Sequence, residues 1–223
     1  MLINNKKIDI FNCKPLKFLV NHSNYSNESI FINNSLTYSE GYIKEGLRSL
    51  ETEFLFKGSK DDVEKNISRF IEEVKKSIIK KGYLNYKVNI ASSEYIDILT
   101  KYSNRQSIKF DVLDVYEDGK SITTTKNTTI NINSPKPCYA NLEITSTTSV
   151  ISYTVTINDT EIVVKNIKAN ETVYIGSGKV VAGGKSKIND VDMFEFPILK
   201  PGVNNITVNR ADVNLKIKYC ERW

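Results

Sequence analysis

One segment constrains this chain more than any other. Residues 61–81 are the only stretch with a helical period, set in a sequence that otherwise reads as strands. Val63, Ile67, Phe70, Val74 and Ile78 recur at spacings of four and three, which places them on one helical face. Glu64, Lys65, Glu72, Glu73, Lys75, Lys76 and Lys80 fill the rest of the surface. A helix with a single apolar face covers a sheet rather than entering a bundle. Ser59 supplies an N-cap, and Asp62 stands where it completes a capping box. Acids lead and lysines close the segment, as the helix dipole favours, and Gly82 is placed for a left-handed stop. The expected fold is therefore mainly β, with one amphipathic helix over 61–81.

Before the helix, residues 2–11, 17–20, 30–36 and 49–56 are strand-like. Leu50-Glu51-Thr52-Glu53-Phe54-Leu55-Phe56 alternates apolar and polar residues and stops at Gly58. After the helix, 83–91 (Leu84, Tyr86, Val88, Ile90) and 108–116 (Ile108, Phe110, Val112) repeat the alternation. Residues 118–137 then turn polar, with Asp118-Gly119, a threonine-rich run and Pro135-Lys136-Pro137, which suits a connection. Ile130 and Ile132 leave open a short strand within it. From Tyr139 no helical period returns. Strand candidates at 140–145, 150–157, 161–164, 171–175, 179–181, 204–208 and 213–219 are separated by turn signals at short spacing. The expected organisation is an antiparallel β domain with one helix over 1–134 and a β-sandwich over 135–223.

Function classes narrow next. The charge is +5, from 31 basic and 26 acidic residues, with no concentration in either half. Only Arg48, Arg69, Arg105, Arg210 and Arg222 are arginines, so sequence-specific nucleic-acid reading is not supported. No run of about 18 apolar residues exists to span a membrane. The opening Met1-Leu2-Ile3-Asn4-Asn5-Lys6-Lys7 lacks the apolar core of a secretory leader. Cys13, Cys138 and Cys220 are too dispersed for a metal set, and read as reduced thiols, with a Cys13–Cys138 bridge as the alternative. His22, the one histidine, lies in a polar stretch and reads as a surface residue.

Catalytic motifs are missing. Gly176-Ser177-Gly178 and Gly183-Gly184 lack the lysine and helix of a phosphate loop and read as hairpin turns. Asp190, Asp192 and Glu195 leave two readings: a carboxylate pair for calcium or glycoside chemistry, or acids of a turn and strand edge. Tyr139, Tyr153, Tyr174, Phe194, Phe196 and Tyr219 mostly alternate with polar residues, as core or half-core positions do, rather than forming a sugar platform. The expected catalytic, cofactor and metal sites are none.

Longer motifs carry a resemblance. Arg48 to Gly58, the helix and its Gly82-Tyr83 exit, and Phe110-Asp111-Val112-Leu113-Asp114 follow in an order similar to the phage distal tail protein family of low-GC Gram-positive hosts and their prophages. The stretch Val163 to Ile175 resembles that family's approach to a glycine-rich turn. Asp190-Val191-Asp192-Met193-Phe194-Glu195-Phe196-Pro197, followed by Pro201-Gly202-Val203-Asn204, resembles its aspartate-aromatic-Glu-Phe-Pro and Pro-Gly-x-Asn stretch. The terminal Arg222-Trp223 is shared with many members, whereas residues 12–39 match no family pattern.

The resemblance implies a structural virion protein, made in the host cytoplasm and placed at the distal end of the tail. It implies a homo-hexamer, ringed through the N-terminal domains, joining the tail tube protein to the tail-associated hub or lysin protein. The C-terminal domain would be a galectin-like or carbohydrate-binding-module-like sandwich, which in related phages can carry receptor-binding proteins. Strands 50–56, 84–90 and 108–112 are the expected source of open edges for ring contacts. A carbohydrate-binding adhesin module and a tail-associated hydrolase are the competing classes; glycan binding and cell-wall turnover discriminate them.

Overall fold

A computed structural model of the chain describes residues 1–23, 25–27, 30–31, 38–39, 43–100 and 102–223. Its contacts divide into two compact units, residues 1–115 and 116–223. In the first, alternation becomes a seven-stranded sheet. Its order is Lys6–Lys7, Leu2–Ile3, Lys76–Lys81, Leu84–Thr100, Ser103–Glu117, Arg48–Lys57, Cys13–Asn21. Leu50, Thr52, Phe54 and Phe56 all point to the buried face of Arg48–Lys57. Thr52 is tolerated there because its Oγ1 donates to the Ile108 carbonyl at 3.0 Å.

The helix runs over Lys60–Val74 and sets Val63, Asn66, Phe70 and Val74 inward. Phe70 meets Phe54, Phe56 and Phe11 edge-on, at centroid distances of 4.7, 5.4 and 5.3 Å. Ser59 caps the helix by accepting from the Asp62 N–H at 3.3 Å. The Asp62 carboxylate accepts from the Ser59 hydroxyl at 2.6 Å, so the acid braces the cap itself.

The expected helix over 61–81 is too long. From Lys76 burial alternates, with Ser77 and Ile79 buried and Ile78 exposed. Lys76–Lys81 is a strand lying between Leu2–Ile3 and Leu84–Thr100. The neighbouring isoleucines tolerate helical and extended backbone alike, and ladder bonds available on both sides decide for the strand. Gly82, at φ 64°, opens the two-residue turn from Lys81 to Leu84 instead of ending a helix.

The strand expected at 2–11 also breaks. Asn4 and Asn5, at φ 48° and 65°, form a hairpin turn that pairs Leu2 with Lys7, and a 3₁₀ turn at Ile8–Phe11 then buries Ile8 and Phe11. Strand 17–20 lies within Cys13–Asn21, and strands 83–91 and 108–116 extend into Leu84–Thr100 and Ser103–Glu117. Of the strand expected at 30–36, only Ile30–Phe31 is among the described residues, paired with Tyr38–Ser39; residues 32–36 lie outside them.

The second unit is a sandwich. One sheet runs Lys120–Thr124, Val213–Tyr219, Cys138–Ser146, Thr172–Gly176, Lys179–Ala182, Lys185–Ser186, with Ile198–Leu199 on the start of Cys138–Ser146. The other runs Thr128–Ile132, Gly202–Val208, Val150–Ile157, Thr160–Ile167, Val191–Met193. Leu142, Ile144, Leu215 and Ile217 from the first sheet share a core with Tyr153, Val155, Ile162, Val164 and Ile206 from the second. Gly176 is needed because a Cβ there would fall 2.9 Å from the Asn141 Cα and 2.1 Å from its side-chain oxygen. Ser177-Gly178 and Gly183-Gly184 are two-residue hairpin turns, as expected.

Residues 118–137 are not a bare connection. Lys120–Thr124 pairs with Val213–Tyr219, Thr128–Ile132 pairs with Gly202–Val208, and Ile130 and Ile132 are buried. Threonines give such strands a polar composition while β-branching still favours extended backbone.

Candidate functional site

The carboxylates with catalytic potential are each taken by a separate partner. Asp190 ends a 3₁₀ turn, Ile188–Asp190, rather than sharing a strand face with Asp192. It pairs with Lys187 at 2.8 Å and accepts from Asn166 at 2.9 Å, and these bonds hold its carboxyl below the ordinary range. A general acid needs the opposite shift. Asp192 pairs with Lys165 at 2.6 Å, and Glu195 accepts from Thr160 at 3.4 Å. They are acids of a turn and a strand edge. Among the described residues, no three His, Cys, Asp or Glu side chains gather as metal ligands, and His22 is exposed.

Cys13 and Cys138 are buried, and all three cysteines are free thiols. Burial, then the Asp9 charge, pushes the Cys13 thiol up to about 12; burial, then Glu221, pushes Cys138 up to about 11. At pH 7.5 the native protein is expected to show at most one fast-reacting thiol, from Cys220, and the others only after unfolding. A colorimetric thiol assay showing two or three fast thiols before denaturation would contradict this.

What the motif residues do is mechanical. Asn204 is fully buried in the Pro-Gly-x-Asn stretch. Its side chain donates to the carbonyls of Lys200, Gly202 and Ile130, at 2.7, 3.1 and 3.3 Å. It accepts from the Lys200 N–H at 2.8 Å and from Asn158 at 2.9 Å. Pro197 accepts from the Ala140 N–H at 2.9 Å. The stretch therefore pins a turn to three strands.

The chain end is pinned too. Glu221, only 2% exposed, accepts from Lys120 at 2.7 Å and from the Asn133 N–H at 3.1 Å, while Trp223 donates to Glu117 at 3.1 Å. Glu221, then Glu117, raises the Lys120 ammonium above its ordinary range. This buried acid was missed in the sequence. Its signal is periodic, since Val213, Leu215, Ile217 and Tyr219 are the inward positions of the last strand and Glu221 continues them.

The described residues assemble no catalytic constellation, and their surfaces come next. Strands 50–56, 84–90 and 108–112, the expected source of edges, are paired on both sides within the sheet over most of their length. The edges lie elsewhere, at Cys13–Asn21 and Lys6–Lys7, and along Leu84–Thr100 beyond Asn89, where Lys76–Lys81 stops. Among the aromatics of the second unit, Tyr153 and Tyr219 are buried and Phe196 packs against the core. Phe194, expected in or near the core, is instead 100% exposed, and Tyr139 is also exposed. Phe194 follows the end of the Val191–Met193 edge strand, where no further strand covers it.

Residues 133–223 match the family model described as siphovirus-type tail component, C-terminal domain. The SPP1 Dit protein, described as a paradigm of the hub adsorption apparatus in phages infecting Gram-positive bacteria, superposes with a TM-score of 0.78 at 11% identity, covering 100% of this chain and 98% of that one. A chain of the phage P2 baseplate in its activated, calcium-bound conformation superposes at 0.57 and 11% identity, covering 93% of this chain and 90% of that one. No curated protein sequence matches. The resemblance to phage distal tail proteins is thus supported by a family model over the C-terminal unit and by a mainly β fold over the whole chain. The matches are to structural tail and baseplate proteins.

Proposed function

We propose that this protein is a non-enzymatic hub component of the distal end of a phage tail. In this reading a hexameric ring forms through the helix-bearing N-terminal unit. The ring joins the tail tube protein to the tail-associated hub or lysin protein, and the sandwich faces outward as the support for a receptor-binding protein. The protein is then made in the host cytoplasm and resides in the virion. The observation that carries the reading is the family match over 133–223, reinforced by a fold likeness to a hub protein that spans both units. A net charge of +5 suits a bore that passes DNA without gripping it. The local chemistry agrees, since the family-like stretches serve as turn anchors and core positions.

Light scattering on the full chain over a range of concentrations, with negative-stain imaging, tests the proposal. The expected result is the mass of a hexamer and ring-shaped particles, either alone or on mixing with the tail tube or hub protein. A protein that stays monomeric alone and forms no rings with either partner overturns it.

A further inference from the structure

The geometry points to a releasable strap: residues 220–223 open as a local unit without unfolding the sandwich, and in opening they free residues 116–120 and uncover Cys138. This is independent of the ring reading. Residues 116–120 begin the second unit, just where the chain arrives from the first. The strap holds them from several points. The Glu117 N–H donates to the Glu221 carbonyl at 3.0 Å, and the Trp223 Nε1 donates to the Glu117 carboxylate at 3.1 Å. Lys120 pairs with the Glu221 carboxylate at 2.7 Å. Arg222 pairs antiparallel with Tyr116 and also with Lys136. The Asn133 N–H donates to the second Glu221 oxygen at 3.1 Å.

The kind of contact makes the strap separable from the sandwich. Val213, Leu215, Ile217 and Tyr219 enter the hydrophobic core, whereas none of residues 220–223 belongs to it. Hydrogen bonds and an ion pair hold the strap, and the Lys120 side chain is 40% exposed, so water competes for it. A segment with few buried apolar contacts opens at a fraction of the cost of global unfolding. The register breaks at the same place. Ala140 faces Tyr219 and Lys136 faces Arg222. From Lys136 to Ala140 is four steps, and from Tyr219 to Arg222 is three, so the ladder is interrupted where the strap begins. Cys138 lies inside that interruption. Leu199 pairs with it on one side. On the other side the strap passes, and after burial the Glu221 charge is the next influence raising its thiol. Lifting residues 220–223 removes the cover from that side.

Two measurements on the full chain test this. Trp223 is the only tryptophan, so its emission reports the strap, while far-ultraviolet circular dichroism reports the sheets. In a urea titration of the wild type, the emission is expected to move to the red before any circular dichroism is lost. Coincident transitions overturn the strap as a local unit. The second measurement uses Glu221→Gln, which keeps the side chain's shape and removes its charge. The protein is labelled briefly with a thiol reagent at pH 7.5, and the labelled cysteines are identified by peptide mapping. Cys138 of the variant is expected to react about tenfold faster than in the wild type, or more, with the circular dichroism unchanged. Cys13, in the other unit, should stay protected in both. A Cys138 that stays protected in the variant overturns the uncovering. A variant that loses its sheet signal also overturns the proposal, because the strap is then part of the sandwich's single cooperative unit.

Discussion

Residues 116–223 produced alone are expected to fold into a soluble β domain with a single cooperative unfolding transition, whereas a fragment starting at 135 is expected to aggregate or stay unfolded. The shorter fragment loses Lys120–Thr124 and Thr128–Ile132, each the outermost strand of one of the two sheets. Ile130 and Ile132 leave the core, and Ile122 no longer packs against it. Burying an isoleucine contributes about 1.5–3 kcal/mol, so the two fully buried ones represent roughly 3–6 kcal/mol. Glu221 meanwhile loses Lys120 and the Asn133 N–H, both supplied by the removed segment. Leaving a buried polar group unpaired costs about 1–3 kcal/mol, and more for a charge. A domain's whole stability is about 5–15 kcal/mol, so the sum consumes most of it. Circular dichroism and urea titration of the two fragments decide the matter. A cooperative 135–223 fragment as stable as 116–223 would show that the two strands are dispensable.

Replacing Asn204 is expected to be the most damaging single change in the second unit. Asn204→Ala removes the five hydrogen bonds of a fully buried side chain, so the Lys200 N–H and the carbonyls of Ile130, Lys200 and Gly202 lose that partner. The expected loss is about 2–4 kcal/mol, read from the denaturation midpoint. Asn204→Asp keeps the shape and inverts the chemistry, aiming a carboxylate at three carbonyl oxygens. Burial and those dipoles raise the new carboxyl above its unfolded value of about 3.9. The neutral form is then the one the fold tolerates. The pH-dependent part of the destabilisation is therefore absent well below the unfolded value, appears as pH rises through it and grows until the folded group ionises. Urea titrations at pH 4 and pH 7 should show the Asp variant falling further behind wild type at pH 7 than at pH 4. A constant gap across that range would contradict the assignment of Asn204 as a donor to the three carbonyls.

Much of this architecture is legible in one dimension because its signals are local. The period of two in 50–56 and 213–219 and the inward face of Val63, Phe70 and Val74 can be read from neighbours a few residues away, as can paired turn residues such as Gly183-Gly184. The family-like stretches resemble phage distal tail proteins, although their roles become clear only when Asn204 is seen tying its own turn to the Thr128–Ile132 strand and to the turn at Asn158.

The sequence by itself determined most of the extended segments, where the one helix begins and most of the residues that face inward. Tertiary structure decided which strand neighbours which. The last turn of the apparent helix became a strand because a slot between Leu2–Ile3 and Leu84–Thr100 offered ladder bonds on both sides. The threonine-rich segment joined both sheets because Val213–Tyr219 and Gly202–Val208 each had a vacant edge. The sheet's open sides fell at Cys13–Asn21 and beyond Asn89, and not at the more apolar strands, because those are paired on both sides within the sheet. Hydrophobic period reports the face a residue presents, whereas strand order is set by hydrogen bonds between segments up to about a hundred residues apart, on which a local pattern carries no information.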